Sequence, residues 1–312
     1  MHDHLARLAK AELHLHLEGS VEPETLLELA PALDETEIRA RYRFHGFAGF
    51  LESYKWITGF LRTPDDYRLV SRRLLERLAA ENVRYAEINL SVGVMLLRKL
   101  DARAICDAVE SEAARSPVEV WWIFDAIRHH GAKPAIEVAR LAAERVAERV
   151  VAFGIGGDEE RGPAGWFSEV FRFARDSGLK LAPHAGETAG AASVWAALKL
   201  GADRIGHGIR AIEDPALVAH LRDRRIPLEI SISSNVATGA VARLEDHPVR
   251  RLFDAGVPIV LNTDDPAMFQ TTLTAEYELA ASHFGFTPQE MEGLAHNAFR
   301  FAFRQPAGGI AP

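Results

Sequence analysis

The chain has 312 residues, 48% of them hydrophobic and 26% charged, with a formal net charge of -8. This is the composition of a globular protein with a substantial core, and a net acidic body does not attract nucleic acid or an anionic membrane surface. The single cysteine, Cys106, excludes an internal disulfide framework; with no signal peptide at "MHDHLARLAKAEL" and no apolar run of bilayer length, a cytoplasmic location is expected.

In chain order, short apolar or β-branched runs alternate with longer amphipathic stretches. The runs are "AELHLHL", "VRYAEINLS", "VEVWWIFDAI", "VVAFGIGG", "KLAPHAGE", "RIGHGI", "PLEISISSN" and "PIVLNTDDP". Between them lie helical patterns such as "TPDDYRLVSRRLLERLAAEN", "AKPAIEVARLAAERVAER", "WFSEVFRFARDSG" and "DPALVAHLRDRR". Strand–helix alternation with near-continuous apolar strands predicts a parallel sheet covered by helices. Eight such units in a chain of this length predict an α/β fold closed into a (β/α)₈ TIM barrel, one domain over residues 1–312. Residues 22–62 break the alternation with helical, aromatic-rich material (Phe44, Phe47, Phe50, Tyr54, Trp56 and Phe60), read as an insertion after the first strand, with 42–62 a candidate lid.

Active sites of such barrels form at the C-terminal ends of the strands. Residues able to bind a ligand gather there: His14 and His16 on the first run, His184 and Glu187 on the fifth, His207 on the sixth, Asp264 and Asp265 on the eighth. Residues i and i+2 of a strand face the same way, so His14 and His16 can converge on one point. Each motif also has a plain structural reading. The paired histidines could be hydrogen-bonded core residues, Glu187-Thr188 or Asp265-Pro266 could start a helix, and His207 between two glycines could mark a tight turn. His129 and His130 could reach the barrel mouth without a specified role. The joint occurrence at one end of four strands favours a site. Three histidines and an aspartate suit Zn²⁺, with Fe or Mn possible on ligand type, and point to hydrolysis by an activated water.

The ordered motifs "HLHLEGS", "GGDE", "HAGE", "GHG", "SSNVATGA" and "NTDDPAMF" resemble those of the adenosine deaminase family of the amidohydrolase superfamily, across nearly the whole chain. The resemblance implies one Zn²⁺ held by His14, His16, His184 and Asp264. It implies Glu187 as the acid that protonates the purine ring nitrogen, and His207 as the group that orients or deprotonates the water and stabilises developing charge. Asp265 would bond the attacking oxygen and another ring nitrogen, and Gly157 would offer its backbone N–H to the base. The lysine that bridges two metals in binuclear relatives is missing. Where many adenosine deaminases resemble "HLDG", this chain has Glu18, implied to face the ribose and one methylene longer than the usual aspartate. Glutamate there resembles relatives acting on adenine or on 6-aminodeoxyfutalosine, a nucleoside of menaquinone biosynthesis with an aryl group at its 5′ end. The segments "GFLESYKWITGFLRTPDDY" and "YAEINLSVGVM" resemble the aminodeoxyfutalosine branch. The implied substrate is a small 6-aminopurine nucleoside, either adenosine or a 5′-modified adenosine such as 6-aminodeoxyfutalosine, with adenine, or a non-purine amide or ester, as alternatives.

Overall fold

Nine parallel strand segments, in a computed structural model that describes residues 2–305, form the eight staves of a barrel. They are β1 (Lys10–His16), β2 (Val83–Leu90), β3 (Glu119–Ile127), β4 (Val150–Gly156), β5 (Lys180–Leu181), β6 (His184–Ala185), β7 (Ile205–His207), β8 (Leu228–Ile230) and β9 (Ile259–Leu261). The fifth stave is split at Ala182-Pro183, because proline has no N–H to give the ladder. Ala182 N still donates to Phe153 O at 3.1 Å and Gly206 N to Pro183 O at 3.0 Å, which carries the wall from β4 across to β7. The ring closes where the eighth stave meets the first, with His16 N donating to Asp264 O at 2.7 Å and Asp264 N to His14 O at 3.1 Å.

The seventh expected run departs from the strand reading of its motif. "PLEISISSN" leaves the sheet at Ile230, and Ile232–Ala237 is a helix. A carboxylate remote in sequence explains this: Glu276 Oε2 accepts the N–H of Ile232 at 2.9 Å, taking one of the donors a helix start leaves free. The helical expectations hold with trimmed ends, at Pro64–Ala80, Ala132–Glu144, Ser168–Asp176 and Pro215–Arg224. The first of these opens on a capping box between Thr63 and Asp66. The insertion after β1 folds as helices Pro23–Leu29, Glu35–Arg41 and Gly46–Thr58. Phe50 of the last stacks on Phe269, ring centroids 5.2 Å apart, which fixes that helix to the loop after β9.

Two cores result. Between barrel and helices, Leu15, Leu74, Leu78, Phe124, Phe153, Leu217 and Leu228 belong to one large apolar cluster. Inside the barrel the floor is small: Ala11, Leu13, Tyr85 and Val260 in one group, Ile123, Ala152 and Ala182 in another, with Phe299 and Phe303 closing from below. Above them the interior turns polar. A bulge in β1 makes the change, since Leu13 N and His14 N both donate to Asn262 Oδ1, at 2.8 and 3.1 Å. Two consecutive residues therefore face inward, Leu13 to the floor and His14 to the mouth. No helix among the described residues is long and apolar enough to cross a membrane.

Candidate active site

His14, His16, His184 and Asp264 meet at the barrel mouth, all buried, their ligand atoms within 4.8 Å of one another. His16 Nε2 lies 3.1 Å from His184 Nε2, and Asp264 Oδ1 lies 3.3 Å from His14 Nε2 and 3.4 Å from His16 Nε2. Four ligands about 2.0–2.1 Å from a central ion stand about 3.3–3.4 Å apart in a tetrahedron, so the cage has the size and donor set of a single zinc-type site. Its charge agrees. Burial opposes charge on His14, but its bonds to Asp264 and Glu229 overcome that and hold the imidazole up at about 10. His16 is pushed down to about 4 by burial, and His184 well below the ordinary range by burial and the neighbouring His14. Asp264 is kept well below the usual carboxylate range by the histidines despite its burial, in a left-handed backbone (φ 65°) that aims it inward.

Glu187 and Asp265 stand beside this cage, buried and lining the same cavity. Burial first, then the negative charges of Asp264 and Glu159, raises Glu187 well above an ordinary carboxylate. Asp265 is raised in the same sense by burial and by Asp264, and its Oδ1 has no partner. Room for Asp265 comes from Gly19, where any Cβ would overlap the Asp265 carboxyl. Asp265-Pro266 starts no helix; the chain runs on in turns. His207 ends β7 with φ 60°, its Nε2 3.6 Å from Glu187 Oε2. Gly157 (φ 93°) lies against His129, whose Nδ1 would be 3.0 Å from an added Cβ.

Glu18 sits elsewhere. It is fully buried behind the cavity wall, its Oε1 accepting from Ser91 N at 3.1 Å and its Oε2 without a partner. Burial pushes it up to about 7. Ser91 and Tyr54, joined at 2.8 Å, are the surfaces presented to the cavity at that place.

Several residues that support the site escaped sequence reasoning. Glu229 accepts from His14 Nδ1 at 2.7 Å, which leaves Nε2 to face the cage. Behind it Arg204 joins Glu229 and Glu87, each at 2.5 Å, and the guanidinium lies 3.5 Å from the centre of the Phe303 ring. Glu159 of the "GGDE" motif accepts from Gly186, Glu187 and Thr188 N at 2.8–2.9 Å and so fixes the turn that carries Glu187. Ser234 donates to Asp264 Oδ2 at 2.6 Å. Asp125 lines the cavity, buried and pushed up to about 8 by burial, with Oδ1 unpaired. The available signal was a charged or polar residue at an inward position of an apolar strand, as in "LEI" and "IFDAI".

The cavity walls beyond the cage are almost all apolar, with Phe47, Phe50, Leu51, Val94, Leu97 and Ile127, and Lys55, Arg98, His129 and His130 also line it. Arg98 donates to the carbonyls of Thr58, Leu61 and Gly59 at 2.5, 2.9 and 3.0 Å. Among the described residues, neither Arg98 nor Lys55 pairs with a carboxylate.

Comparison with known proteins agrees with this arrangement. A family model described as adenosine deaminase matches residues 9–307. An aminodeoxyfutalosine deaminase of Streptomyces avermitilis is 39% identical over 99% of this chain and 90% of its own length. An adenine deaminase of Rhizobium leguminosarum bv. trifolii is 38% identical over 95% of each. The crystal structure of an amidohydrolase from Burkholderia ambifaria with bound Zn superposes with a TM-score of 0.89 at 27% identity, covering 97% of this chain and 88% of that one. The chain is an aminohydrolase acting on C–N bonds, and it belongs to the adenosine deaminase family.

Proposed function

We propose that this protein is a zinc-dependent hydrolytic deaminase of a 6-aminopurine nucleoside whose 5′ end carries an extended, acid-terminated substituent, as in 6-aminodeoxyfutalosine. The carrying observation is the lining of the cavity: a metal-type cage beside Glu187, whose burial raises its carboxyl, then largely apolar walls, with Lys55 and Arg98 lacking carboxylate partners among the described residues. Adenine would leave the passage empty, and adenosine would leave the cations unused. The relatives named as aminodeoxyfutalosine deaminase support the same reading.

A zinc ion held by His14, His16, His184 and Asp264 would lower the pKa of a bound water from 15.7 to about 7. Glu187 donates its proton to the ring nitrogen beside the amino-bearing carbon, which makes that carbon electrophilic. Water adds there, the C–N bond breaks, and ammonia leaves the 6-oxo product. Asp265 and the Gly157 backbone hold the base by its other nitrogens. Glu18 acts through Ser91, which it buttresses from behind. The helix Gly46–Thr58 roofs the passage, and residues 42–62 serve as its cover.

The test is a substrate panel of adenosine, deoxyadenosine, 5′-methylthioadenosine, adenine and 6-aminodeoxyfutalosine, followed by ammonia release. The reading expects the highest kcat/KM for 6-aminodeoxyfutalosine and a selective loss for it in Arg98→Ala. Adenine as the best substrate would overturn the nucleoside assignment, and hydrolysis of amides without any deamination would overturn the reaction class.

A further inference from the structure

A buried hydrogen-bonded chain behind His207 has a direction that the backbone dictates. Val249 N donates to His247 Nδ1 at 3.2 Å, so that nitrogen carries a lone pair. Burial keeps His247 neutral, its pKa pushed down to about 3, so the ring's one proton is on Nε2. That Nε2 lies 3.2 Å from Asn235 Oδ1 and donates to it. The Asn235 amide is thereby oriented, its Nδ2 donating at 3.1 Å to His207 Nδ1. His207 Nδ1 is an acceptor, and its proton must sit on Nε2, on the side of Glu187. All three side chains are buried, so no solvent competes for these bonds.

We propose that Asn235 and His247 are positioning residues that fix His207 in the tautomer protonated on Nε2. His207 then meets the attacking oxygen as a hydrogen-bond donor and holds it, with no lone pair free on that nitrogen to take its proton. This choice between orienting and deprotonating rests on the deaminase reading above; the tautomer itself does not.

The decisive measurement is two-bond ¹⁵N–¹H correlation on the metal-loaded full chain labelled with ¹⁵N-histidine, His207 being assigned by the signal lost in His207→Gln. Protonated Nε2 is expected, and a proton on Nδ1 overturns the proposal whatever the substrate proves to be. In Asn235→Asp the carboxylate can only accept, so the His207 proton moves to Nδ1. There kcat should fall about 10–100-fold, the usual cost of a displaced outer partner, with KM and metal content unchanged. An unmoved tautomer with full kcat overturns the assignment of Asn235. Should that variant not fold, His247→Phe, which lets the Asn235 amide turn over, should give both tautomers and a lower kcat. His247→Gln, which restores an N–H donor, should recover most of the loss; equal loss in the two would make His247 merely structural.

Discussion

The two cores of this barrel are built on opposite chemistry. Between strands and helices the packing is apolar and continuous, so any residue of the right size contributes through burial alone. Inside the barrel the volume above a thin apolar floor is filled by His14, Glu229, Arg204, Glu87 and the metal cage, where each polar atom depends on one partner. The outer core keeps the fold, and the inner one sets protonation states. Substitutions in the outer core should therefore change stability and spare chemistry, while those in the inner core should do the reverse or affect both.

The largest effect on turnover is expected from Glu187→Gln, which removes the proton donor. Loss of a general acid should lower kcat about 10²–10⁴-fold, while metal analysis finds the wild-type content. A metal-free Glu187→Gln protein would make Glu187 a ligand. In the wild type, kcat should decline as pH rises through the raised pKa of Glu187, because the acid form is the active one.

Next comes Glu229→Gln, which weakens the bond that aims His14. Competition with a chelator should show metal affinity lower by about 10–100-fold. An unchanged affinity would remove the interior chain from the metal site and blur the contrast between the cores.

Glu12 probes the boundary. It faces the helices, yet Thr263, one residue from Asp264 of the candidate metal cage, donates its N–H to it at 2.9 Å. Burial pushes Glu12 up to about 8 from 4.5. A carboxyl raised on folding adds stability that is complete below pH 4.5, erodes as pH rises, and is gone above about 8. Chemical denaturation of the wild type across that window should show the decline, and Glu12→Gln should flatten it. An identical pH slope in the two proteins would discharge Glu12 from this role.

The smallest effect on catalysis belongs to the outer core. Leu217→Ala, fully buried on the helix Pro215–Arg224, should cost about 2–5 kcal/mol of unfolding free energy and leave kcat and KM unchanged below the transition. A drop in kcat at full folding would show that the two cores are coupled.

Local periodicity carried the alternation of strands and helices, the closed barrel, the insertion after β1, and the placing of His14, His16, His184, Glu187, His207, Asp264 and Asp265 at one end. Those features depend on side-chain period and turn chemistry, which neighbouring residues determine. The helix at Ile232–Ala237 was hidden because the carboxylate that caps it, Glu276, is distant in sequence. Glu18 could be named but not aimed, since its burial behind Ser91 depends on how β2 lies beside β1. The β1 bulge, the Glu229–Arg204–Glu87 chain and the His247–Asn235–His207 relay each join separate staves or loops. A buried polar group is assigned its partner, and with it its proton, only when the chain closes around it, and that decision belongs to the tertiary structure.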